Sequence, residues 1–201
     1  MNEYKVELDL YQECLYEIKR RIDVIADHLN NVTTEKYLVI EVETVCLQFR
    51  KILEKIALMS LVANKKLYAE QHEKFAKHYH AEKIMNDLER INPNFYPIPI
   101  KRVKRDGGID ELVDVESGYL TREEFVKVYE KSGGMMHAQN PFSSEKPIIE
   151  IRENFSNWLT KIYILLNHHK ISLVGGDKIL VAIMERTDNG KPQAVLLGKV
   201  D

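Results

Sequence analysis

Apolar residues in the first third of the chain recur at alternating spacings of three and four positions. Residues 2–30 and residues 37–68 both carry this repeat without a break. A repeat of this period predicts an amphipathic helix with one continuous apolar seam in each segment. Asn30 and Asn31 end the first helix, and the connection that follows is short. Two long helices with matching seams and a short connection predict an antiparallel helical hairpin.

The second predicted helix also carries an apolar stripe that turns away from its seam. This stripe comprises Ile40, Leu47, Leu61 and Tyr68. A helix that is apolar over so much of its surface is enclosed by several neighbours. We therefore expect it to be the central helix of a bundle, or to present a dimer interface on this second stripe.

Two charged residues lie on or beside the second stripe. Glu54 falls between Leu47 and Leu61, and Arg50 lies one turn before it. Residues four positions apart on a helix can form an ion pair, and the hairpin register would bring Glu17 close to Arg50. Arg50 and Glu54 are therefore candidate catalytic residues of a polar site inside the bundle. The alternative is a structural salt bridge.

Helical periodicity is weaker in residues 69–91, which are predicted to form a peripheral third helix that ends before Pro93. Prolines then favour extended chain, and two β-type stretches flank a turn at residues 106–108. Residues 92–119 are therefore predicted to form an extended insertion that contains a β-hairpin.

Two further helices are predicted after the insertion. Thr121 and Glu124 form a capping box that starts the first of them, and the glycine pair at residues 133–134 ends it. Ser144 is predicted to cap the second helix, whose apolar residues again alternate three and four. The adjacent histidines at residues 168–169 are predicted to complement the negative C-terminal end of that helix.

The tail of the chain is predicted to be β. Strand-forming segments flank the turn at residues 188–190, which predicts a hairpin, and residues 171–174 can supply a third strand. Both faces of residues 179–184 are apolar. A lone hairpin cannot bury both faces, so it must pack on helices and on another strand or subunit.

Together these elements predict a mainly α (α+β) fold in a single domain. A helical hairpin and a third helix occupy residues 1–91, and the extended β-hairpin insertion occupies residues 92–119. Two helices that complete the bundle follow in residues 120–170, and a C-terminal β-hairpin occupies residues 171–201. One domain is expected because residues 120–170 supply the apolar faces that the helical hairpin needs.

Composition narrows the class of protein. The chain has 201 residues, of which 44% are hydrophobic and 30% are charged, as in folded soluble proteins. Its net charge of −2 gives no overall attraction to nucleic acid or to an anionic membrane. The N-terminus lacks the features of a secretory signal, and no apolar run is long enough to span a bilayer. We therefore expect a cytoplasmic protein with no membrane partner, in which Cys14 and Cys46 are free thiols.

The sequence lacks the common cofactor motifs. It has no phosphate-binding glycine loop before a lysine, no dinucleotide fingerprint, no Cys-x-x-Cys and no His-Glu-x-x-His. His72, His78 and His80 do not have the spacing of three or four residues that two helical metal ligands need. We therefore expect no cofactor and no bound metal.

An irregular loop of high apolar content follows the glycine pair, over residues 135–142. We expect it to pack onto the body of the protein. His137 and Asn140 in this loop are candidate catalytic residues, because histidine can act as an acid or a base near neutral pH. The candidate ligand-binding residues beside them are Tyr129, Met136 and Phe142. The alternative is that His137 fixes the loop through backbone hydrogen bonds.

One dense basic run, Lys101, Arg102, Lys104 and Arg105, is a candidate nucleic-acid-binding segment. RNA is therefore a possible partner. The alternative is a solvated strand whose basic residues face Asp110, Glu111 and Asp114 across the ladder of the hairpin.

The first helix also contains an arginine followed, after six intervening residues, by a histidine: Arg21 and His28. This spacing resembles the motif of small helical bundles of the HEPN type, in which four to six residues separate an arginine from a histidine. The resemblance implies an RNA-cutting or defence module in which Arg21 and His28 act. Here the motif falls in the first helix rather than late in the bundle, and Ile22 follows the arginine where that family often has a polar residue. The chain is therefore not assigned to the family.

Three hypotheses for the function follow. The first is a non-catalytic interaction module that self-associates through surplus apolar surface, as a homodimer or another homo-oligomer. In a variant of this hypothesis, the same surface binds a different protein. The second is a metal-independent hydrolase, such as a HEPN-like ribonuclease or a defence-system effector. The third is a small-molecule sensor with a pocket between the bundle and the loop of residues 135–142.

Overall fold

The computed structural model describes residues 4–31, 34–64, 81–104, 110–142, 144–173 and 178–198. The helices are α1 (Lys5–Asn30), a 3-10 turn (Glu35–Tyr37), α2 (Leu38–Ala63), α3 (Ala81–Ile91), α4 (Arg122–Met135) and α5 (Ile148–Asn167). The strands are β1 (Ile98–Lys104), β2 (Asp110–Asp114), β3 (His168–Ser172), β4 (Lys178–Ile183) and β5 (Gln193–Gly198). The predicted α+β class is confirmed. Residues 69–80 of the predicted third helix, with His72, His78 and His80, lie outside the described residues, as does the turn at residues 106–108.

The helical hairpin is confirmed, and its two seams form the centre of the core. The seam residues that are buried include Tyr11, Leu15, Ile18, Ile22 and Ile25 on α1 and Val42, Val45, Phe49, Ile52, Ile56 and Met59 on α2. Burying side chains of this size stabilises a fold by about 1.5–3 kcal/mol each before conformational entropy is counted. The pairing of α1 with α2 is therefore a large contribution to the stability of the molecule.

Helix α2 is central, as predicted, because it contacts α1, α3, α4 and α5. Its second stripe is only partly covered by these neighbours. Ile40 is 61% exposed and Leu47 is 41% exposed, whereas Leu61 packs against the core. The first half of the stripe is therefore open surface, and Leu61 in the second half is part of the bundle, whereas Tyr68 lies outside the described residues.

The two predicted hairpins join into one antiparallel sheet with the strand order β2-β1-β3-β4-β5. The link between them is β3, which pairs with β1 at Ile98–Lys170 and Pro99–His169 and with β4 along its whole length. The prediction that the histidines at residues 168–169 complement a helix end was wrong, because α5 ends at Asn167 and both histidines begin β3.

The two faces of this sheet differ in what covers them. Helix α5 contacts β1, β3 and β4, and α1 contacts β5. The inner face that these helices cover carries five buried residues, most of which belong to the main core cluster: His169, Ile171, Leu180, Ala182 and Ala194. Side chains alternate along a strand, and the register therefore places another set on the opposite face. We call this the open face, and it carries Ile98, Ile100, Arg102, His168, Lys170, Ile179, Val181, Ile183, Val195 and Leu197.

The prediction for helix α4 was correct at the start of the helix and wrong at its end. The capping box is confirmed, with Thr121 Oγ1 accepting from the Glu124 amide at 3.3 Å and Glu124 Oε2 accepting from the Thr121 amide at 3.3 Å. The predicted end at residues 133–134 was wrong, because the helix continues to Met135. Gly133 serves a close contact instead: a Cβ atom there would lie 2.4 Å from Arg50 Nη1.

The last helix begins later than predicted. Pro147 rather than Ser144 is its N-cap residue, and no side chain caps it. The turn at residues 188–190 is confirmed, because Gly190 has φ of 66°, a left-handed conformation that glycine adopts without strain. Cys14 and Cys46 are free thiols, as expected. Within the described residues, no helix is both long enough and apolar enough to cross a membrane.

A buried asparagine ties three elements together at one end of the sheet. Asn92, which follows α3, donates its side-chain amide to Asn64 Oδ1 at 2.8 Å and to the Ser172 carbonyl at 2.7 Å. Its own Oδ1 accepts from the Asn94 amide at 3.0 Å. Because every polar atom of the Asn92 side chain is used, burial costs little here, and the ends of α2, α3 and β3 are fixed relative to one another.

Candidate functional site

Arg50 is the centre of the polar contacts between α2 and α4. Its Nη2 donates to Tyr129 Oη at 2.7 Å, and its guanidinium carbon lies 4.0 Å from the centroid of the Tyr129 ring. Its Nε lies 3.5 Å from Glu54 Oε1, so the predicted i,i+4 ion pair is present. Gly133 allows the guanidinium to lie directly against α4. The sequence predicted the Arg50–Glu54 pair, and the structure adds Tyr129 and Gly133 to it.

This cluster lies at the edge of the bundle, with Tyr129 buried and the two charged side chains partly open to water. The side chains of Arg50 and Glu54 are 20% and 22% exposed, and Lys51 also pairs with Glu54 at 2.8 Å. Pairs at this exposure are screened by water and contribute little to stability. The donors of Arg50 are directed at Tyr129 and Glu54. Because the guanidinium already has these partners, the arrangement favours a structural role.

Glu17 does not approach Arg50 as expected. It forms ion pairs with Arg21 and with Lys55, both at 2.6 Å. Burial raises the pKa of Glu17, but hydrogen bonds from Lys55 and Arg21 outweigh this effect and hold the pKa below its usual value. The prediction was wrong, because the partner of Glu17 on α2 is Lys55, more than one turn beyond Arg50.

Met135 packs into the core, but residues 136–142 are exposed, contrary to the expectation that the whole loop packs onto the body. Phe142 is 97% exposed and Met136 is 36% exposed, and the side chains of His137 and Asn140 are exposed as well. The loop is held through its main chain: Lys146 Nζ donates to the carbonyl oxygens of Met135 and His137. Backbone hydrogen bonds of this kind replace the apolar contacts that we had expected.

Asn140 has a turn-forming role in this loop. Its Oδ1 accepts from the Phe142 amide at 3.0 Å, and its carbonyl accepts from Gln139 Nε2 at 3.1 Å. His137 is exposed to solvent, whereas Arg50 and Glu54 are half-buried and Tyr129 is 5% exposed. The catalytic role of His137 and Asn140 stays a prediction, and no described contact adds support to it.

The arginine and histidine of the HEPN-like spacing do not share partners. Arg21 uses Nε and Nη2 on Glu17, and its Nη1 donates to Gln48 at 2.8 Å. His28 lies two turns further along α1, about 10 Å away along the helix axis. Each nitrogen of the Arg21 guanidinium already donates one hydrogen bond, so a phosphate would compete with Glu17 and Gln48 for this side chain. The hydrolase hypothesis stays a prediction.

The basic run is divided between the two faces of β1. Arg102 and Lys104 point to the open face, and Lys101 and Val103 alternate with them. In the register, Arg102 lies opposite Leu112, Val103 opposite Glu111 and Lys104 opposite Asp110. Asp114 instead pairs with Lys170 on β3 at 2.5 Å. Arg105 lies outside the described residues.

Sequence reasoning missed a buried pair between α1 and β3. His169 is fully buried, its Nδ1 lies 2.9 Å from the Leu166 carbonyl and its Nε2 lies 2.6 Å from Tyr11 Oη. A carbonyl only accepts, so Nδ1 carries the proton and Nε2 accepts from Tyr11. Burial lowers the pKa of His169 to about 4 and raises that of Tyr11 well above 10. A signal was present: a tyrosine on a buried seam requires a partner for its hydroxyl.

A second missed feature is an acid buried at the start of α2. Glu41 is 6% exposed, and its Oε1 lies 3.5 Å from Arg152 Nη2 of α5. Its Oε2 and the Nε of Arg152 have no hydrogen-bond partner among the described residues. Arg152 also borders a cleft of about 450 Å³ at the end of α1, although Glu41 does not line it. The pair joins α5 to α2, but a buried ion pair with unsatisfied atoms adds little net stability.

Within the described ranges, no group of three histidine, cysteine or acidic side chains is arranged to hold a metal ion. Comparison of the chain with protein-family models, with curated proteins and with solved structures found no match.

Proposed function

We propose that this protein is a non-catalytic interaction module that forms a homodimer through the open face of its sheet. The observation that carries the proposal is that, among the described residues, α1 and α5, the helices with the main contacts to the sheet, pack on the face opposite to this one. Val195 is 38% exposed and Leu197 is 42% exposed. Apolar side chains grouped on one open surface are typical of interaction sites.

The position of two further residues supports this choice of surface. Ile100 and Val181 are only 4% and 8% exposed, yet neither belongs to the main core cluster. The register places both on the open face, with Val181 directly opposite Val195. The open face therefore has a small apolar centre of its own, which a second sheet packed face to face would complete.

The charges on this face favour a second copy over a nucleic acid. Lys170 pairs with Asp114, and Arg186 pairs with Asp188, so both signs border the apolar centre. A twofold axis places each patch against its own copy, and a surface with both signs can therefore complement itself. The five strands contain no phenylalanine, tyrosine or tryptophan, which are the residues on which unpaired bases stack.

The shape of the surface sets the expected affinity. A depression of about 580 Å³ lies between Arg102, Val181, Arg186 and Val195 and gives room for side chains from a partner. Five strands of this length span only about 500 Å² per subunit, which lies below the roughly 800 Å² of a standard interface. We therefore expect a dimer with a dissociation constant in the micromolar range.

Size-exclusion chromatography with light scattering tests the proposal across micromolar to submillimolar protein. The double variant Val195→Lys, Leu197→Lys adds two charges to the open face and is expected to be monomeric. Val24→Lys on α1 is the matched control, because Val24 is 41% exposed, and it should dimerise like the wild type. Thermal melting verifies that all three proteins are folded.

Two results would overturn the proposal. One is a wild-type protein that stays monomeric at the highest concentration. The other is a double variant that dimerises as well as the wild type, which would place the interface elsewhere, such as on the exposed half of the second stripe at Ile40 and Leu47.

A further inference from the structure

His168 lies on the open face of the sheet, beside the apolar centre of that face. It is the first residue of β3, and the register places it directly opposite Ile183 of β4. It also lines the depression of about 580 Å³, together with Arg102, Val181 and Val195. The side chain is half-buried in the single chain. A second copy that packs on the open face would therefore cover a titratable group.

The charged groups around His168 come from each side of the open face. They are Arg102 on β1, the pair of Lys170 with Asp114, the pair of Arg186 with Asp188, and, further along the first hairpin, Lys104 opposite Asp110. The residues that β4 and β5 place on this face are uncharged. Within the part of the chain that the structure describes, no ion pair joins His168 to an acid.

The surroundings of His168 favour its neutral form. Burial lowers its pKa, and the positive charge of Arg102 lowers that pKa further. Since an unperturbed histidine has a pKa near 6.5, His168 is neutral at neutral pH. Protonation would place a second positive charge beside Arg102.

The cost of that second charge depends on whether the open face is covered. In the single chain, water screens the two neighbouring cations. When two open faces meet, this water is displaced, and a twofold axis brings a second copy of the same two cations into the interface. Burying charges that have no acidic partner is unfavourable. Protonated His168 is therefore less compatible with the dimer than with the monomer.

We infer that His168 makes the dimer dissociate on acidification, because the open face is buried only while this histidine is neutral. The inference rests on the homodimer proposed above and adds its regulation. Dissociation lets each monomer bind a proton, so a falling pH favours the monomers. The effect is absent above pH 6.5 and grows as the pH falls through the lowered pKa of His168. Because two histidines titrate per dimer, the dissociation constant rises by at most about 100-fold per pH unit.

Sedimentation equilibrium of the full chain at about pH 7.5 and about pH 5.5 tests the inference. We expect the dissociation constant to be about tenfold higher at the lower pH. Circular dichroism at both pH values verifies that the protein stays folded, since the buried His169 has a pKa of about 4 and titrates at lower pH. The acids on the open face have usual pKa values near 4 and stay ionised in this range.

Two variants assign the effect to one histidine. His168→Gln has a polar side chain that cannot be protonated, so its dissociation constant should be the same at both pH values. His28→Gln is the matched control, because His28 is also half-buried but lies on α1 and not in the sheet. It should keep the tenfold difference of the wild type.

A calorimetric measurement on the wild type tests the same linkage without a substitution. The heat of dilution at about pH 5.5, in buffers of different ionisation enthalpy, gives the number of protons taken up per dissociating dimer. We expect an uptake of more than zero and at most about two protons. This measurement decides the question if His168→Gln does not dimerise at either pH.

The outcomes separate this inference from the proposal on which it rests. A wild-type protein that is monomeric at about pH 7.5 would remove the dimer and the inference with it. A dimer with equal dissociation constants at both pH values would overturn the inference alone. Wild-type pH dependence in His168→Gln, or dissociation without proton uptake, would have the same meaning.

Discussion

His168 and His169 are neighbours in sequence, and they lie on opposite faces of the same sheet. His169 points to the inner face, is fully buried, and is hydrogen-bonded through both ring nitrogens. His168 points to the open face beside Arg102 and is only half-buried. Burial and the nearby Arg102 lower the pKa of His168, whereas burial lowers that of His169 to about 4.

The comparison shows that the face of the sheet to which a histidine points, and not its residue type, decides its role. The inner position has every polar atom satisfied, so it can join α1, α5 and β3 without the cost of an unpaired buried group. The outer position is bordered by apolar residues and by charges that face solvent. The inner face of the sheet is therefore completed by the chain itself, while the open face is the one that a partner can complete.

The sharpest test of this difference is to truncate each histidine in turn. His169→Ala removes a buried ring and leaves the Tyr11 hydroxyl unsatisfied, so we expect the free energy of unfolding to fall by about 4 kcal/mol. His168→Ala should cost about 0.5 kcal/mol or less, as for most surface positions. Urea denaturation of the two variants and the wild type measures both values, and equal losses would contradict the distinction between the faces.

The pH dependence of stability should also come mainly from the inner histidine. An unfolded histidine has a pKa near 6.5, and folded His169 has a pKa of about 4. Between these values the unfolded chain binds a proton that the folded chain does not, so lowering the pH stabilises the unfolded state. The contribution is fully present above pH 6.5, and we expect about 3 kcal/mol to be lost as the pH falls to about 4.

The control for this experiment is the same titration in a variant without the inner histidine. His169→Gln should flatten the decrease in the free energy of unfolding between pH 6.5 and 4, and His168→Gln should retain most of it. Urea unfolding at a series of pH values gives the slopes. A slope that survives in His169→Gln would mean that carboxylates such as Glu17, whose pKa is lowered in the folded state, dominate in this range.

The elements that the sequence predicted correctly are those with local signals. The three–four repeats of α1 and α2, the capping box at Thr121 and the turn at Gly190 depend on residues that are close together in the chain. The joining of the two hairpins depends on β1 pairing with β3, and only Ile98 and Pro99 take part on the β1 side. Two residues that pair with a strand so far away in the sequence leave no periodic pattern to detect.

The same division applies to the candidate site. The Arg50–Glu54 pair was predictable because residues four apart meet on any helix. Its contact with Tyr129 spans 79 positions, and the Tyr11–His169 hydrogen bond spans 158. Such contacts depend on the packing of whole helices, which the apolar pattern of each helix does not specify. Gly133 illustrates the difficulty, because a glycine that permits a close approach looks the same in sequence as one that ends a helix.

The smallest expected effect separates the two faces on a single strand. Ala194 points inward and is 7% exposed, and Val195 next to it points to the open face. Ala194→Thr adds atoms to a packed interior and should cost about 1–3 kcal/mol. Val195→Thr keeps the shape of the side chain and should cost less than about 0.5 kcal/mol in dilute protein. Urea denaturation of both variants at low concentration gives this contrast.

The same Val195→Thr variant then connects stability to association. A dimer that buries the open face stabilises the folded state by mass action, so the wild-type melting temperature should rise with protein concentration. Val195→Thr weakens the buried apolar contact and should reduce that rise, whereas Ala194→Thr should shift the melting temperature equally at every concentration. A wild-type melting temperature that is independent of concentration through the submillimolar range would mean that the open face stays exposed to water. The two faces would then differ only in that the chain itself buries the inner face.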